Sequence, residues 1–115
     1  MSNVYDSHVH LLQRAAIAIG GATSGAQALV APVAGKLVRL CGFRLSALTA
    51  CAVKFQATTA EGSRDLSGLI QLAEGEEVGE PLSIYGHLET AVGEGISLHT
   101  SAAAAIGGYQ SYLQF

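Results

Sequence analysis

Residues 35–57 read Gly-Lys-Leu-Val-Arg-Leu-Cys-Gly-Phe-Arg-Leu-Ser-Ala-Leu-Thr-Ala-Cys-Ala-Val-Lys-Phe-Gln-Ala, two β-rich runs that change over around residues 46–49 as a hairpin would. Short runs of this kind, with apolar residues at every second position, recur along the chain, separated by glycine and small polar residues. Alternation at period two turns one face of a run toward a core and the other away from it, which marks strands and not helices. A succession of short strands with turn residues between them restricts the chain to a sandwich or a barrel.

Val9, Leu11, Gln13, Ala15, Ile17 and Ile19 share one parity, opposite His8, His10, Arg14 and Ala18, and Gly20-Gly21 closes the pattern. A strand or extended arm fits residues 8–19; a helix capped by Ser7 and stopped at Gly20 is the competing reading. Further strands are expected over 26–31, 36–45, 49–57, 66–73, 82–89, 96–100 and 106–115, with a polar turn at 58–65 and an acidic loop at 74–80. In the last strand Tyr109, Leu113 and Phe115 fall on one face and Gln110, Tyr112 and Gln114 on the other. The expected fold is all-β: a single-domain antiparallel β-sandwich, jelly-roll-like, of about eight strands with an extended N-terminal arm. Residues 1–20 form the arm or first strand and residues 21–115 the sandwich domain.

Residues 36–45 depart from simple alternation: Leu37, Cys41, Phe43 and Leu45 are apolar on one parity, Val38 and Leu40 on the other. A strand apolar on both sides is expected to be buried on both sides, which in a chain of 115 residues points to a second subunit.

Half of the residues are hydrophobic and 13% are charged, the composition of a folded domain and not of a disordered chain. Arg14, Lys36, Arg39 and Arg44 interrupt every run that approaches a membrane span. The start, Met-Ser-Asn-Val-Tyr-Asp, has neither the basic lead nor the apolar core of a secretion signal, so synthesis in the cytoplasm is expected. A net charge of −3 argues against nucleic acid as a partner. The balance is +4 over residues 1–54 and −7 over residues 61–115, either complementary faces for head-to-tail packing or acids that keep loops soluble. Cys41 and Cys51 sit in successive strands; buried free thiols suit a cytoplasmic product better than a cross-strand disulfide.

Few residues invite chemistry. Asp6, His8 and His10 alternate, so an extended segment points all three to one side, as a transition metal would need. The His-x-His pair also resembles the opening of the cupin metal motif, but Arg14 and Ala15 stand where that motif carries its Glu, and His87 or His99 would have to complete it. Glu74, Glu76, Glu77 and Glu80 make a dense acidic loop, a solvated turn that discourages edge pairing before it is a calcium site. Gly20-Gly21 and Gly107-Gly108 precede no Lys-Ser/Thr, so they read as turns or bulges. Tyr85, Tyr109 and Tyr112 either stack on sugars or pack in an interface. No catalytic, cofactor-binding or metal-ligating residue is assigned.

Four segments carry a resemblance: residues 36–47, residues 52–56 (Ala-Val-Lys-Phe-Gln), residues 65–73 (Asp-Leu-Ser-Gly-Leu-Ile-Gln-Leu-Ala) and residues 88–109. The last reads Leu-Glu-Thr-Ala-Val-Gly-Glu-Gly-Ile-Ser-Leu-His-Thr-Ser-Ala-Ala-Ala-Ala-Ile-Gly-Gly-Tyr. In this order they resemble a group of small virion proteins of tailed bacteriophages. There a basic strand precedes V-x-F, L-S/T-G-x-x-x-L and T-A-x-G-E-x-I/L-x-L segments, and V/I-G-G leads into the last strand. The resemblance spans residues 33–115 and implies a capsid decoration, or cement, protein. It further implies no enzyme activity and no cofactor. The major capsid protein and further copies of the chain are the implied partners, at the capsid surface of the virion. A homotrimer is taken ahead of a homodimer, a choice no residue argues. The alternatives are a tail- or fibre-associated module that grips host-surface carbohydrate through Tyr85 or Tyr112, and a cupin-like metal-binding protein using His8 and His10.

Overall fold

A computed structural model describes residues 12–20 and 25–115. In chain order the strands are β1 (Gln13–Gly20), β2 (Gly25–Val30), β3 (Val38–Ala47), β4 (Cys51–Thr59), β5 (Gly62–Asp65), β6 (Ile70–Leu72), β7 (Glu77–Glu80), β8 (Leu88–Glu89), β9 (Gly95–Thr100) and β10 (Ala105–Gln114). One sheet, A, runs β1-β10-β3 and then β7 and β8, both paired with β3; the other, B, runs β2-β9-β4 and then β5 and β6, both paired with β4. Every pairing is antiparallel.

The protein is thus a single-domain antiparallel β-sandwich. Pairs β1·β10, β2·β9, β3·β7/β8 and β4·β5/β6 nest inside one another along the chain, which is a jelly roll with its two outermost positions interrupted. Eight ladder positions therefore become ten strands. In the β5–β6 gap Ser67 substitutes for the ladder, its Oγ accepting from the Phe55 N–H at 2.9 Å.

The changeover at residues 48–50 is an arch between sheets and not a hairpin, since β3 lies in A and β4 in B. Phe43 and Phe55 meet across that arch edge to face, ring centroids 4.9 Å apart. Around them pack Ile17, Val38, Leu40, Leu45, Val53, Leu72, Ile96, Leu98 and Ile106, so both sheets contribute to one core. Cys41 and Cys51 fall in different sheets, and both are free and buried.

A β-bulge explains the double-sided apolar strand. Tyr112 pairs with Leu40 and Ser111 with Gly42, leaving Cys41 without an opposite number. One extra residue flips the parity, so Val38 and Leu40 before it and Phe43, Leu45 and Ala47 after it all join the same core. Residues 36–45 consequently give no reason to invoke a second subunit.

β1 pairs with β10 over all eight of its residues and places Ile17 in the core, so residues 13–20 are part of the sandwich and not a detachable arm. The helix alternative fails there for the same reason. Residues 82–89 also depart from expectation, for only Leu88–Glu89 is strand. Gly86, at φ +81°, and the Cys41 bulge turn the preceding residues into a loop. The acidic loop contains strand β7, Glu77–Glu80, a short edge with a carboxylate at each end.

Part of the charge asymmetry is paired off inside the chain. Arg39, Arg44 and Lys54 of the basic half pair with Glu89, Glu77 and Asp65 of the acidic half. These three pairs tie sheet edges to β3 and β4, and as exposed contacts each stabilises by about 0–1 kcal/mol. No helix among the described residues is long and apolar enough to cross a membrane.

Candidate docking face

Alternation along β1, β10 and β3 sends Arg14, Tyr109, Ser111, Gly42 and Arg44 to the outer side of sheet A, since their neighbours Ile17, Gln110 and Phe43 point inward. Arg14 lies over the Tyr109 ring, 4.1 Å from guanidinium carbon to centroid, a cation–π stack between adjacent strands. Arg44 stands opposite Tyr109 on β3, and its hydrogen bond to Glu77 at 2.6 Å holds it firmly charged. Tyr and Arg are the side chains that most often anchor protein interfaces.

The loop between β7 and β8 folds over this face. Gly42 is what permits it: a β-carbon there would stand 3.2 Å from the Leu82 α-carbon. Four hydrogen bonds then hold the loop. Ser83 N–H donates to the Cys41 carbonyl at 2.7 Å and His87 N–H to the Leu40 carbonyl at 2.8 Å. Arg39 Nη1 donates to the Ile84 carbonyl at 3.2 Å, and His87 Nε2 lies 2.8 Å from the Pro81 carbonyl oxygen. The result is a fixed loop presenting two large apolar side chains outward, Leu82 at 59% and Tyr85 at 81% exposure. Leu82 walls two shallow depressions, one of about 270 Å³ with Tyr85 and one of about 150 Å³ with Arg14 and Tyr109.

The residues singled out from sequence divide sharply. Asp6, His8, His10 and Gly21 lie outside the described residues. His87 serves the sheet A loop, whereas His99, paired with Lys54 and Ala26, sits on the outer side of sheet B. Neither points into the sandwich, so they do not converge as a cupin site requires. Among the described residues no three His, Cys, Asp or Glu side chains group to hold a metal ion. Within the acidic run, Glu76 Oε1 accepts from the Ala73 N–H and Glu77 is bound to Arg44. Burial pushes the Cys41 and Cys51 thiols up, away from the reactive thiolate. Tyr112 packs against the core with its hydroxyl donating to Gln13 Oε1 at 3.2 Å. Gly107 and Gly108 lie within β10 and not at a turn.

Sequence reasoning named Tyr85 and Tyr109 but missed Leu82, Arg14 and Gly42 as parts of one surface. The available signal was the run Pro81-Leu82-Ser83-Ile84-Tyr85-Gly86, with Leu82, Ile84 and Tyr85 between chain-turning residues. No family model, curated protein or solved structure matches the chain.

Proposed function

We propose that this chain is a structural virion protein that decorates and cements a tailed-phage capsid, docking on the major capsid protein shell through the outer face of sheet A. The reading rests on the resemblance of residues 33–115 to phage virion proteins and on one observation: Leu82 and Tyr85 are held outward on a loop fastened by four hydrogen bonds. Apolar anchors fixed before contact lose little conformational entropy on binding, which is what a cement that must not exchange requires. Arg14, Tyr109 and Arg44 border the anchors with polar and cationic groups, the usual rim of a protein interface. The role is non-enzymatic, and further copies of the chain, as a trimer, share the capsid surface.

The test is binding to empty expanded shells of the phage that encodes the chain, read as copies bound per shell after sedimentation. The wild type is expected to saturate a fixed number of sites. Leu82→Ala with Tyr85→Ala is expected to lower affinity about 30- to 1,000-fold, given two truncated anchors at about 1–2 kcal/mol each, while thermal unfolding is unchanged. Equal occupancy by the double variant would remove sheet A as the docking face, and no binding by the wild type would remove the cement role.

A further inference from the structure

The sheet edges are guarded on one side of the sandwich and open on the other. The contacts Phe43–Phe55 and Gln110–Leu29 set β3 over β4 and β10 beside β2, so β1 and β2 lie along one side and β5 to β8 along the opposite one. On that opposite side β5 and β7 have four residues each, β6 three and β8 two. They carry Arg64 and Asp65, Glu77 and Glu80, and Glu89. Short, interrupted and charged strands of this kind resist pairing with another chain. β1 has none of these devices. It is eight residues long, Gln-Arg-Ala-Ala-Ile-Ala-Ile-Gly, with no proline, no acid and Arg14 as its single charge. β2, Gly-Ala-Gln-Ala-Leu-Val, carries no charge.

Among the described residues β1 pairs with β10 alone, so about half of its main-chain N–H and C=O groups point off the sheet. Ile19 of β1 and Leu29 of β2 pack against the core yet stay only partly buried on this side. A strand added along β1 satisfies the first and covers the second. The strand that fits is β1 itself. Two antiparallel copies that keep their cores on the same side of one sheet are related by a two-fold axis normal to it. With that axis at Ala16 or at Ile17 nearly the whole strand overlaps. Arg14 then faces the partner's Ala18 or the partner's Gly20 and never its own counterpart, so the charge pattern permits self-pairing. Ala16 and Ala18 are exposed on the outer side, which leaves small side chains along the seam. The same axis brings β2 toward its counterpart with no charge between them. A side about 27 Å long and about 20 Å thick buries roughly 1,000 Å² over both copies, the lower bound for a specific dimer, so half-association near about 10 µM is expected. We infer that two copies of this chain pair antiparallel through β1, joining their A sheets into one. No residue argues for three copies, and this seam argues for two.

The pairing needs no capsid, so its failure would leave docking through sheet A standing. The test is sedimentation equilibrium of the full chain from about 1 to about 100 µM, a range that brackets the expected midpoint. The mass is expected to rise from the 11.8 kDa of one chain to twice that value. Ala16→Lys with Ala18→Lys sets like charges against each other across the axis in either register and is expected to weaken the dimer about 10-fold or more. Both positions are exposed, so thermal unfolding of that variant is expected to match the wild type measured as a monomer. Mixing an isotope-labelled Lys variant with Ala16→Glu, Ala18→Glu is expected to restore association as a one-to-one heterodimer in native mass spectrometry, because the facing charges then attract. Leu82→Ala with Tyr85→Ala, which leaves β1 untouched, is expected to dimerise as the wild type does. A single-chain mass for the wild type at about 100 µM, or a three-chain mass, overturns the proposal. A Lys variant that associates as the wild type does, or a loss of association in the Leu82 and Tyr85 variant, places the contact elsewhere and overturns it too.

Discussion

Gln110 Nε2 donates a hydrogen bond of 3.2 Å to the carbonyl of Leu29, reaching from the middle of sheet A to the edge of sheet B. The β2·β9 register slips between Ala28 and Val30, so Leu29 is passed over by its own ladder. Its carbonyl is satisfied from the opposite sheet instead. Gln114 repeats the arrangement one turn of the pleat further along, donating to the Ala31 carbonyl at 2.9 Å. Gln110 and Gln114 thus fasten β10 of one sheet to the β2 end of the other.

Replacing Gln110 with Leu keeps the shape and strands the Leu29 carbonyl. A loss of about 1–2 kcal/mol is expected by urea unfolding, and Gln114→Leu, being nearer solvent, is expected to cost less than that. Equal stability of Gln110→Leu and wild type would show that the bond across the layers contributes nothing.

Phe43 and Phe55 pack edge to face between the sheets. Phe55→Ala is expected to destabilise by about 3–5 kcal/mol, with the spread set by how far the arch at residues 48–50 can close the cavity. A loss under about 1 kcal/mol would mean the sheets are held together elsewhere.

Under the proposed docking through sheet A, Gly42 ties stability to the anchor loop. Gly42→Ala forces the Leu82 backbone to give by a few tenths of an ångström, against contacts of 3.2 and 3.3 Å. The expected cost is about 1–2 kcal/mol in unfolding, together with a fall in shell affinity as Leu82 and Tyr85 shift. Reduced stability with unaltered shell binding would uncouple the loop from the function.

Acid should loosen the sheet B edge before the core. The Asp65 carboxyl is held below its usual range, first by the Gln56 hydrogen bond and then by Lys54. Glu94 is held low by the Ala91 N–H and, after it, by Arg64. Both groups take up protons more readily in the unfolded chain, so their contribution is complete above the unfolded pKa values and disappears as pH falls through the folded ones. Stability is expected to be level from about pH 7 to pH 5 and to decline below about pH 4. Asp65→Asn is expected to flatten that decline, followed by urea unfolding at stepped pH; an identical acid limb in the variant would contradict the assignment.

How much of this was legible in the sequence depended on whether the signal was local. The inward parity of Ile17 and Ile19, the burial of Leu98 and the facing directions of Tyr109 and Gln110 follow from alternation alone, and the jelly-roll order suits the strand spacing. The Cys41 bulge was hidden because a parity flip and a strand buried on both faces produce the same string of apolar residues. The arch after Ala47 resembles a hairpin in sequence, as three small or apolar residues serve either connection. The charge asymmetry does not separate in the fold, because strands distant in sequence meet, bringing Arg44 to Glu77 and Arg39 to Glu89. The placement of the Leu82–Tyr85 loop over sheet A depends on which strands become neighbours, and no single segment records that.

The most direct measurement of the proposed cement role is cryo-electron microscopy of the virion that the chain would decorate. Density for this sandwich is expected on the outside of the shell, in regular copies, with the loop bearing Leu82 and Tyr85 turned inward against the major capsid protein. A shell bare of it, or one gripping it by sheet B with that loop facing solvent, would contradict the account.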